Sequence, residues 1–373
     1  MKAGKYRAII VVFALTVLVF ACIEPFSPPE VNSPDKYLVV DGFLNVSNDT
    51  SRIELRYTQN ANDQSPQTSE TGARISVAGE SGEVYEFTEE GNGMYFLPPV
   101  NVGSAGKYHL TIKTLNGKEY MSDDVAVITT PPIDSVTYNY DQGRDAMVIK
   151  VNTHDPQNNT RFYKWKFEET YEYRAAYQSS LMVDLVKREL VFRREDINRC
   201  WRTNKSTNIM LGSTIKLSKD EIRDLPLNVV QINTNKFYLK YSIIVKQYGL
   251  SQAGFEYWTD LAKTTQGTGS LFDPQPSQVT GNIKNTTDPK ELVFGYFSAS
   301  TVASKRIFMS PALGSYPRCD APDTLSIADA ISNYGALLIS YTGNRSELVL
   351  STSASCADCR VQGGTTTKPS FWE

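Results

Sequence analysis

A two-residue alternation of apolar and polar side chains, repeated in short runs between turn residues, limits this chain more than any other feature. In Arg52 to Thr58, Ile53, Leu55 and Tyr57 fall on one face and Arg52, Glu54 and Arg56 on the other. Successive side chains of a strand point to opposite sides, so such a segment buries one face only. The runs Tyr37 to Leu44, Ala73 to Ala78, Val84 to Phe87, Met94 to Leu97, Tyr108 to Ile112 and Glu119 to Ser122 continue the pattern. Asn116-Gly117 between the last two suits the paired positive φ angles of a type I′ hairpin turn. This spacing predicts an immunoglobulin-like or transthyretin-like β-sandwich over residues 36–130, ending at Thr129-Thr130-Pro131-Pro132. Gln59 to Thr71 is too polar to pack and reads as a mobile loop.

Residues 131–373 are expected to form a second, β-rich domain, a sandwich or partly closed barrel carrying one helix, so the fold class is mainly all-β. Its strands are expected at Ser135 to Tyr140, Ala146 to Asn152, Arg161 to Tyr173, Val229 to Asn233, Lys236 to Lys246, Glu291 to Ser298, Lys305 to Met309, Ala336 to Tyr341 and Leu348 to Ser351. Within the third of these, Tyr163, Trp165 and Phe167 share one face, and Lys164, Lys166 and Glu168 the other. Tyr171, Tyr173 and Tyr177 near its end read as a core rim, with stacking on a sugar or peptide as the functional alternative. Met182 to Leu190 fits helix and strand equally. Ser251 is placed to cap a helix running to about Lys263, with Phe255, Trp258, Leu261 and Ala262 as its apolar stripe.

The N-terminus carries a different signal. Lys2, Lys5 and Arg7 precede a 14-residue apolar run, Ala8 to Ala21, which closes on Cys22. That is shorter than the roughly 20 residues needed to cross a hydrocarbon core, so residues 1–21 read as a cleaved signal peptide. Cys22 is then the lipid acceptor, although Phe20 is bulky for such a site. Residues 22–35, with Pro25, Pro28, Pro29 and Pro34, read as a tether between acyl chains and fold. Removing 21 of 373 residues, three of them basic, leaves 352 and takes the formal charge from -3 to -6. A mildly acidic surface without a basic block argues against nucleic acid.

Four cysteines remain, Cys200, Cys319, Cys356 and Cys359. An even number in an exported chain is read as two disulfides, with the pairing left open. Cys356-Ala-Asp-Cys359 also has redox-motif and zinc-ligand spacing. Gly363, Gly364 and three threonines follow where a redox motif needs a helix, and the wide spacing of the other two cysteines disfavours a metal site.

Recognisable catalytic signatures are few. A Ser-His-Asp site would have to use His109 or His154, and the Gly-x-Ser-x-Gly elbow, zinc-protease, phosphate-loop and dinucleotide patterns are missing from the sequence. Neither cofactor nor metal is expected, and Asp320 and Asp323 read as solvated acids. Asp134-Ser135-Val136 and Asp323-Thr324-Leu325 fit a loose O-glycosylation pattern. Paired carboxylates leave no local signature, so a surface glycan or peptide hydrolase stands as the alternative to a non-catalytic binding role. Phe371 and Trp372 are expected to dock onto the second domain and pin the tail.

Taken in order, Tyr37-Leu-Val-Val-Asp-Gly42, Gly281-Asn-Ile283, Val293-Phe-Gly-Tyr-Phe-Ser-Ala-Ser300 and the tail pieces Cys356-Ala-Asp-Cys359, Gly363-Gly364, Lys368-Pro369 and Phe371-Trp372 resemble domain of unknown function 4249 of Bacteroidota lipoproteins. The resemblance spans the mature chain. It implies an outer-membrane lipoprotein, often encoded beside a TonB-dependent receptor, and an accessory role in nutrient uptake. The ligand and the membrane face are left open.

Overall fold

The structure is a computed structural model that describes residues 36–59, 63–266, 279–310, 313, 318–332, 336–343 and 345–373. The expected signal peptide, the expected lipid acceptor Cys22 and the expected tether lie outside the described residues. Strands β1 (Leu38–Asn45), β2 (Ser51–Tyr57), β3 (Arg74–Gly79), β4 (Val84–Gly91), β5 (Met94–Leu97), β6 (Lys107–Lys113), β7 (Glu119–Ser122) and β8 (Val125–Ala126) come first. Next are β9 (Ile133–Asp141), β10 (Ala146–Asp155), β11 (Phe162–Arg174), β12 (Leu181–Asp184), β13 (Glu189–Phe192), β14 (Arg199–Lys205), β15 (Met210–Ser213), β16 (Asp220–Gln231) and β17 (Lys240–Gly249). Helix α1 (Gln252–Thr265) precedes β18 (Ile283–Asn285), β19 (Phe294–Ser300), β20 (Val302–Met309), β21 (Asp323–Ser326), α2 (Ile327–Ser332), β22 (Ala336–Thr342), β23 (Arg345–Ser353) and α3 (Ala354–Ala357). The chain is all-β with a few short helices, as its alternation requires.

The first eight strands join β18 and β19 in one 10-stranded sheet, ordered β18-β7-β6-β3-β4-β5-β2-β1-β19, with β8 on β6. Pairing passes through β4, which bonds to both β3 and β5, so the two halves face each other as in a sandwich. Leu38, Val40, Ile53 and Leu55 from one half meet Ile75, Val77, Leu110 and Ile112 from the other in a shared core. Each such side chain contributes about 1.5–3 kcal/mol when fully buried. A parallel bridge between Ile128, just after β8, and Ser300 of β19 nearly closes the sheet into a barrel.

Closure depends on the downstream strands. β19 pairs in parallel with β1, placing Gly295 opposite Val40. A Cβ at Gly295, where φ is +117°, would lie 1.9 Å from the Val40 carbonyl oxygen, and one at Gly281 would lie 1.4 Å from that of Gly295. Only glycine permits this seam. Beside it, Asn282 donates from Nδ2 to the Phe297 carbonyl at 2.9 Å and accepts from the Phe297 amide at 2.8 Å. Three of the pieces that carry the family resemblance thus meet at one seam. The barrel therefore draws on residues beyond the boundary expected at 130/131, because β1 would otherwise leave an open edge.

Two details differ from expectation. The turn after β6 has a positive φ at Gly117 and none at Asn116. The Gly117 amide donates to the Thr114 carbonyl and the Thr114 amide to that of Lys118, the pattern of a type I turn with a glycine bulge in place of type I′. Secondly, the described part of the expected mobile loop runs beside β2, with the Tyr57 amide on the Thr68 carbonyl and the Glu70 amide on that of Leu55. Residues 60–62 lie outside the described residues.

The second body is a two-sheet sandwich. Sheet β16-β10-β9 faces β14-β11-β17-β20, which carries β15 on β11, and Ile149, Val151, Trp165, Tyr241, Ile243 and Val245 fill the space between. Trp165 donates to Gln247 at 2.8 Å, and Gln247 donates to the Pro131 carbonyl and Thr153 hydroxyl, so this buried polar chain is satisfied. Met182 to Leu190 resolves as the β12–β13 hairpin of a third, small sheet, β13-β12-β22-β23-β21, packed on Ala330 of α2.

Disulfides Cys200–Cys359 and Cys319–Cys356 decide the pairing that the sequence leaves open. Neither cysteine of the Cys-x-x-Cys pair bonds to the other. The first bridge fastens the tail to β14, and the tail ends with Trp372 buried, its Nε1 donating to Glu172 at 3.0 Å. Phe371 is half exposed and lies against the Arg306 guanidinium.

Candidate functional site: the crevice between barrel and sandwich

Barrel and sandwich meet where β19 and β1 turn their outer faces toward β11 and β17. Lys166 of β11 pairs with Asp41 of β1 at 3.8 Å. Phe43 of β1 packs edge-on against Tyr248 of β17, with ring centres 5.2 Å apart. Helix α1 covers the junction. Ser251 caps it, its hydroxyl accepting from the Gly254 amide at 3.1 Å, as the sequence predicts. Tyr257 stacks on Tyr296 of β19 at 5.1 Å and stands edge-on to Trp258 at 5.2 Å. The expected apolar stripe of Phe255, Trp258, Leu261 and Ala262 is only partly covered.

Two cavities flank this junction and share Ser298. One, of about 650 Å³, is lined by Asp123, Asp124, Glu256, Asp260, Tyr257 and Tyr296 among others. The second, of about 690 Å³, is lined by Asp41, Phe43, Lys164, Lys166, Lys246 and Tyr248 among others. Burial, reinforced by Asp41, pushes the hydroxyls of Tyr248 and Tyr257 up to about 12, so both remain protonated donors at neutral pH.

Lys164 is the residue that sequence reasoning missed. Alternation assigns it to the polar face of β11, but the barrel and α1 cover that face, leaving the side chain 7 % exposed. Its ammonium lies 3.6 Å from the centre of the Trp258 ring and 5.6 Å from that of Tyr248. Burial, then the neighbouring Lys166 charge, pushes its pKa down to about 7, against the opposing pull of Asp41. The signal available in the sequence was the Trp258 position on a helix following β17, although nothing local connects it to Lys164.

The other candidates fall elsewhere. Tyr171 and Tyr173 are buried in the sandwich core, as the core-rim reading expects, and do not form a stacking platform. Tyr173 donates to the Cys359 carbonyl at 2.7 Å, and Tyr177, half buried, to that of Asp320 at 3.0 Å. His109 pairs with Asp124 at 3.2 Å and His154 with Asp134 at 2.8 Å. Among the described residues neither histidine has a serine hydroxyl hydrogen-bonded to it, and no group of three or more His, Cys, Asp or Glu side chains is arranged to hold a metal. Glu169 is buried but fully engaged by Lys236, Tyr241, Asn204 and Asn228. Its carboxyl stays below the usual range because these bonds outweigh the opposing effect of burial.

The profile of a family described as Domain of unknown function (DUF4249) matches residues 23–306, which include the barrel, the seam glycines and most of the sandwich. No curated protein sequence matches the chain. Among solved structures, the adhesin InvE of Yersinia pseudotuberculosis overlaps at 13 % identity and a TM-score of 0.17, over 59 % of this chain and 56 % of the adhesin. A two fibronectin type-III domain segment from chicken tenascin overlaps at 11 % identity and a TM-score of 0.17, over 58 % of this chain and 92 % of that one. A cytokine receptor complex does so at 10 % and 0.18, over 57 % and 90 %. Overlaps this loose carry no inference about what the crevice binds.

Proposed function

We propose that this chain, which belongs to the DUF4249 family, is an outer-membrane lipoprotein anchored through Cys22 that serves as a non-catalytic binding partner of a TonB-dependent transporter in nutrient uptake. The observation that carries the binding part is the crevice. A cavity of about 690 Å³ at a boundary between two bodies, lined by the rings of Phe43 and Tyr248 and by eight charged side chains, five of them cations, has the size of a small-molecule site and the polarity to hold a charged one. Anchoring is supported by the basic, apolar and cysteine segments of residues 1–22. The transporter follows from the association that the family resemblance implies.

Affinity purification of the full lipidated protein from its native outer membrane in mild detergent tests this reading. A TonB-dependent transporter recovered in stoichiometric amount is the expected result. Recovery of the protein alone, or turnover of a glycan or peptide substrate by the purified protein, would overturn it, and turnover would turn attention to a carboxylate hydrolase.

A further inference from the structure

We infer that the crevice receives a small ligand bearing an oxyanion, a carboxylate or a phosphate, and that Lys164 is the cation that meets it. The inference rests on the binding role proposed above and adds the chemical class of the ligand.

Its basis is an ammonium deprived of what a buried ammonium needs. Taking such a charge out of water costs several kcal/mol unless a counter-ion or hydrogen bonds compensate. Lys164 is 7 % exposed, yet among the described residues no carboxylate lies within salt-bridge distance of it. Its ammonium rests instead on the faces of Trp258 and Tyr248, and a desolvated cation–π contact restores only about 2 kcal/mol. Three other cations of the same cavity are already matched: Lys166 with Asp41 at 3.8 Å, Lys246 with Glu168 at 3.3 Å and Arg52 with Glu90 at 2.8 Å. Lys205 adds an exposed ammonium at the wall. Lys164 is therefore the buried charge that is left over, and it lines a space large enough for a ligand.

Charged and titratable groups share its cavity: Asp41 of β1, Asp49 before β2, Arg52 and Glu54 of β2, Lys166 of β11, Lys205 of β14, and Lys246 and Tyr248 of β17. Asp41 favours the ammonium but is shared with Lys166, which opposes it. Tyr248, held protonated by burial, is able to donate to an oxyanion. With the crevice empty the Lys164 proton is loosely held. A bound oxyanion holds it in place, so binding takes up a proton near neutral pH and weakens as pH rises above it.

The test uses the mature full-length protein with two probes, sodium phosphate and sodium succinate, against sodium chloride at equal ionic strength. Reductive methylation is followed peptide by peptide with mass spectrometry. One probe should slow modification of Lys164 about tenfold, as expected when nine-tenths of the sites are filled, while exposed Lys187 and Lys219 react unchanged. Protection by phosphate alone assigns a phosphate ligand, and protection by succinate alone a carboxylate. Titration calorimetry of the K164M and K164Q variants should find binding of the protecting anion lost. No protection of Lys164 by either probe in the wild type, or unchanged affinity in both variants, would overturn the inference. Neither result bears on transporter co-purification, so failure here is distinguishable from failure of the accessory role.

Discussion

Replacing Lys164 with Met should make the protein more stable, and by an amount that depends on pH. Methionine keeps the length of the side chain and its contact with Trp258 and Tyr248, but removes a charge that folding must desolvate. Burial, then Lys166, lowers the folded pKa to about 7, from about 10.4 in an unfolded chain. Between these values the unfolded chain holds a proton that the folded one has lost, so wild-type stability rises with pH in that window. Below pH 7 both states are protonated and the penalty is complete. At 1.36 kcal/mol per pH unit the penalty is on the order of 4 kcal/mol, less about 1–2 for the Trp258 face. K164M should therefore exceed the wild type by about 2–3 kcal/mol near pH 6.5, and the gap should narrow by about 2 kcal/mol near pH 9. Urea unfolding of both proteins at the two pH values, followed by circular dichroism in buffers free of carboxylate and phosphate, measures this, since groups common to both cancel in the difference. A variant less stable than the wild type at both values, or a gap independent of pH, would mean that Lys164 has an internal partner, and the reasoning fails.

The other predictions concern the frame that holds the crevice. Trp372→Ala should cost about 3–5 kcal/mol by emptying a buried site, whereas Trp372→Phe, which keeps a ring but loses the bond to Glu172, should cost about 1–2 kcal/mol; urea unfolding within 0.5 kcal/mol of wild type for the alanine variant would contradict the docked tail. Gly295→Ala places a Cβ 1.9 Å from the Val40 carbonyl oxygen at a φ of +117°, so β19 should detach from β1, with amide exchange in both strands rising sharply. A protection pattern like the wild type's would show that the seam can yield. Ser251→Ala should destabilise α1 by about 1 kcal/mol while Ser251→Asp, also a good cap, restores it; thermal unfolding that does not distinguish the two would remove Ser251 from the capping role.

Much of the fold is legible along the chain because one-sided strands advertise themselves. Ile53 and Leu55 are fully buried and Arg52 is exposed, as alternation demands. Legibility ends where pairing partners are distant or a strand is polar. β14, with the sequence Arg-Cys-Trp-Arg-Thr-Asn-Lys, carries little apolar signal, and β16 contains Pro226 beside a shift in its pairing with β10. Nothing local says that residues 283–300 return to the barrel; the only sign lies in Gly281 and Gly295, whose purpose emerges when the two backbones touch. The same limit hid the site. Alternation correctly separated Lys164 from Tyr163 and Trp165, but which side faces solvent depends on β1 and α1, far away in sequence. The aromatic run at the end of β11 reads the right way, as a core rim, because Tyr171 and Tyr173 pack into the core around Cys200–Cys359.

The most direct test of the claim that the crevice is the functional site is native mass spectrometry of the protein purified gently from its native cells, wild type beside K164M. The account predicts that the wild type carries the extra mass of a small acidic molecule and that K164M carries none. An identical retained mass on both proteins, or an extra mass on neither, would contradict it.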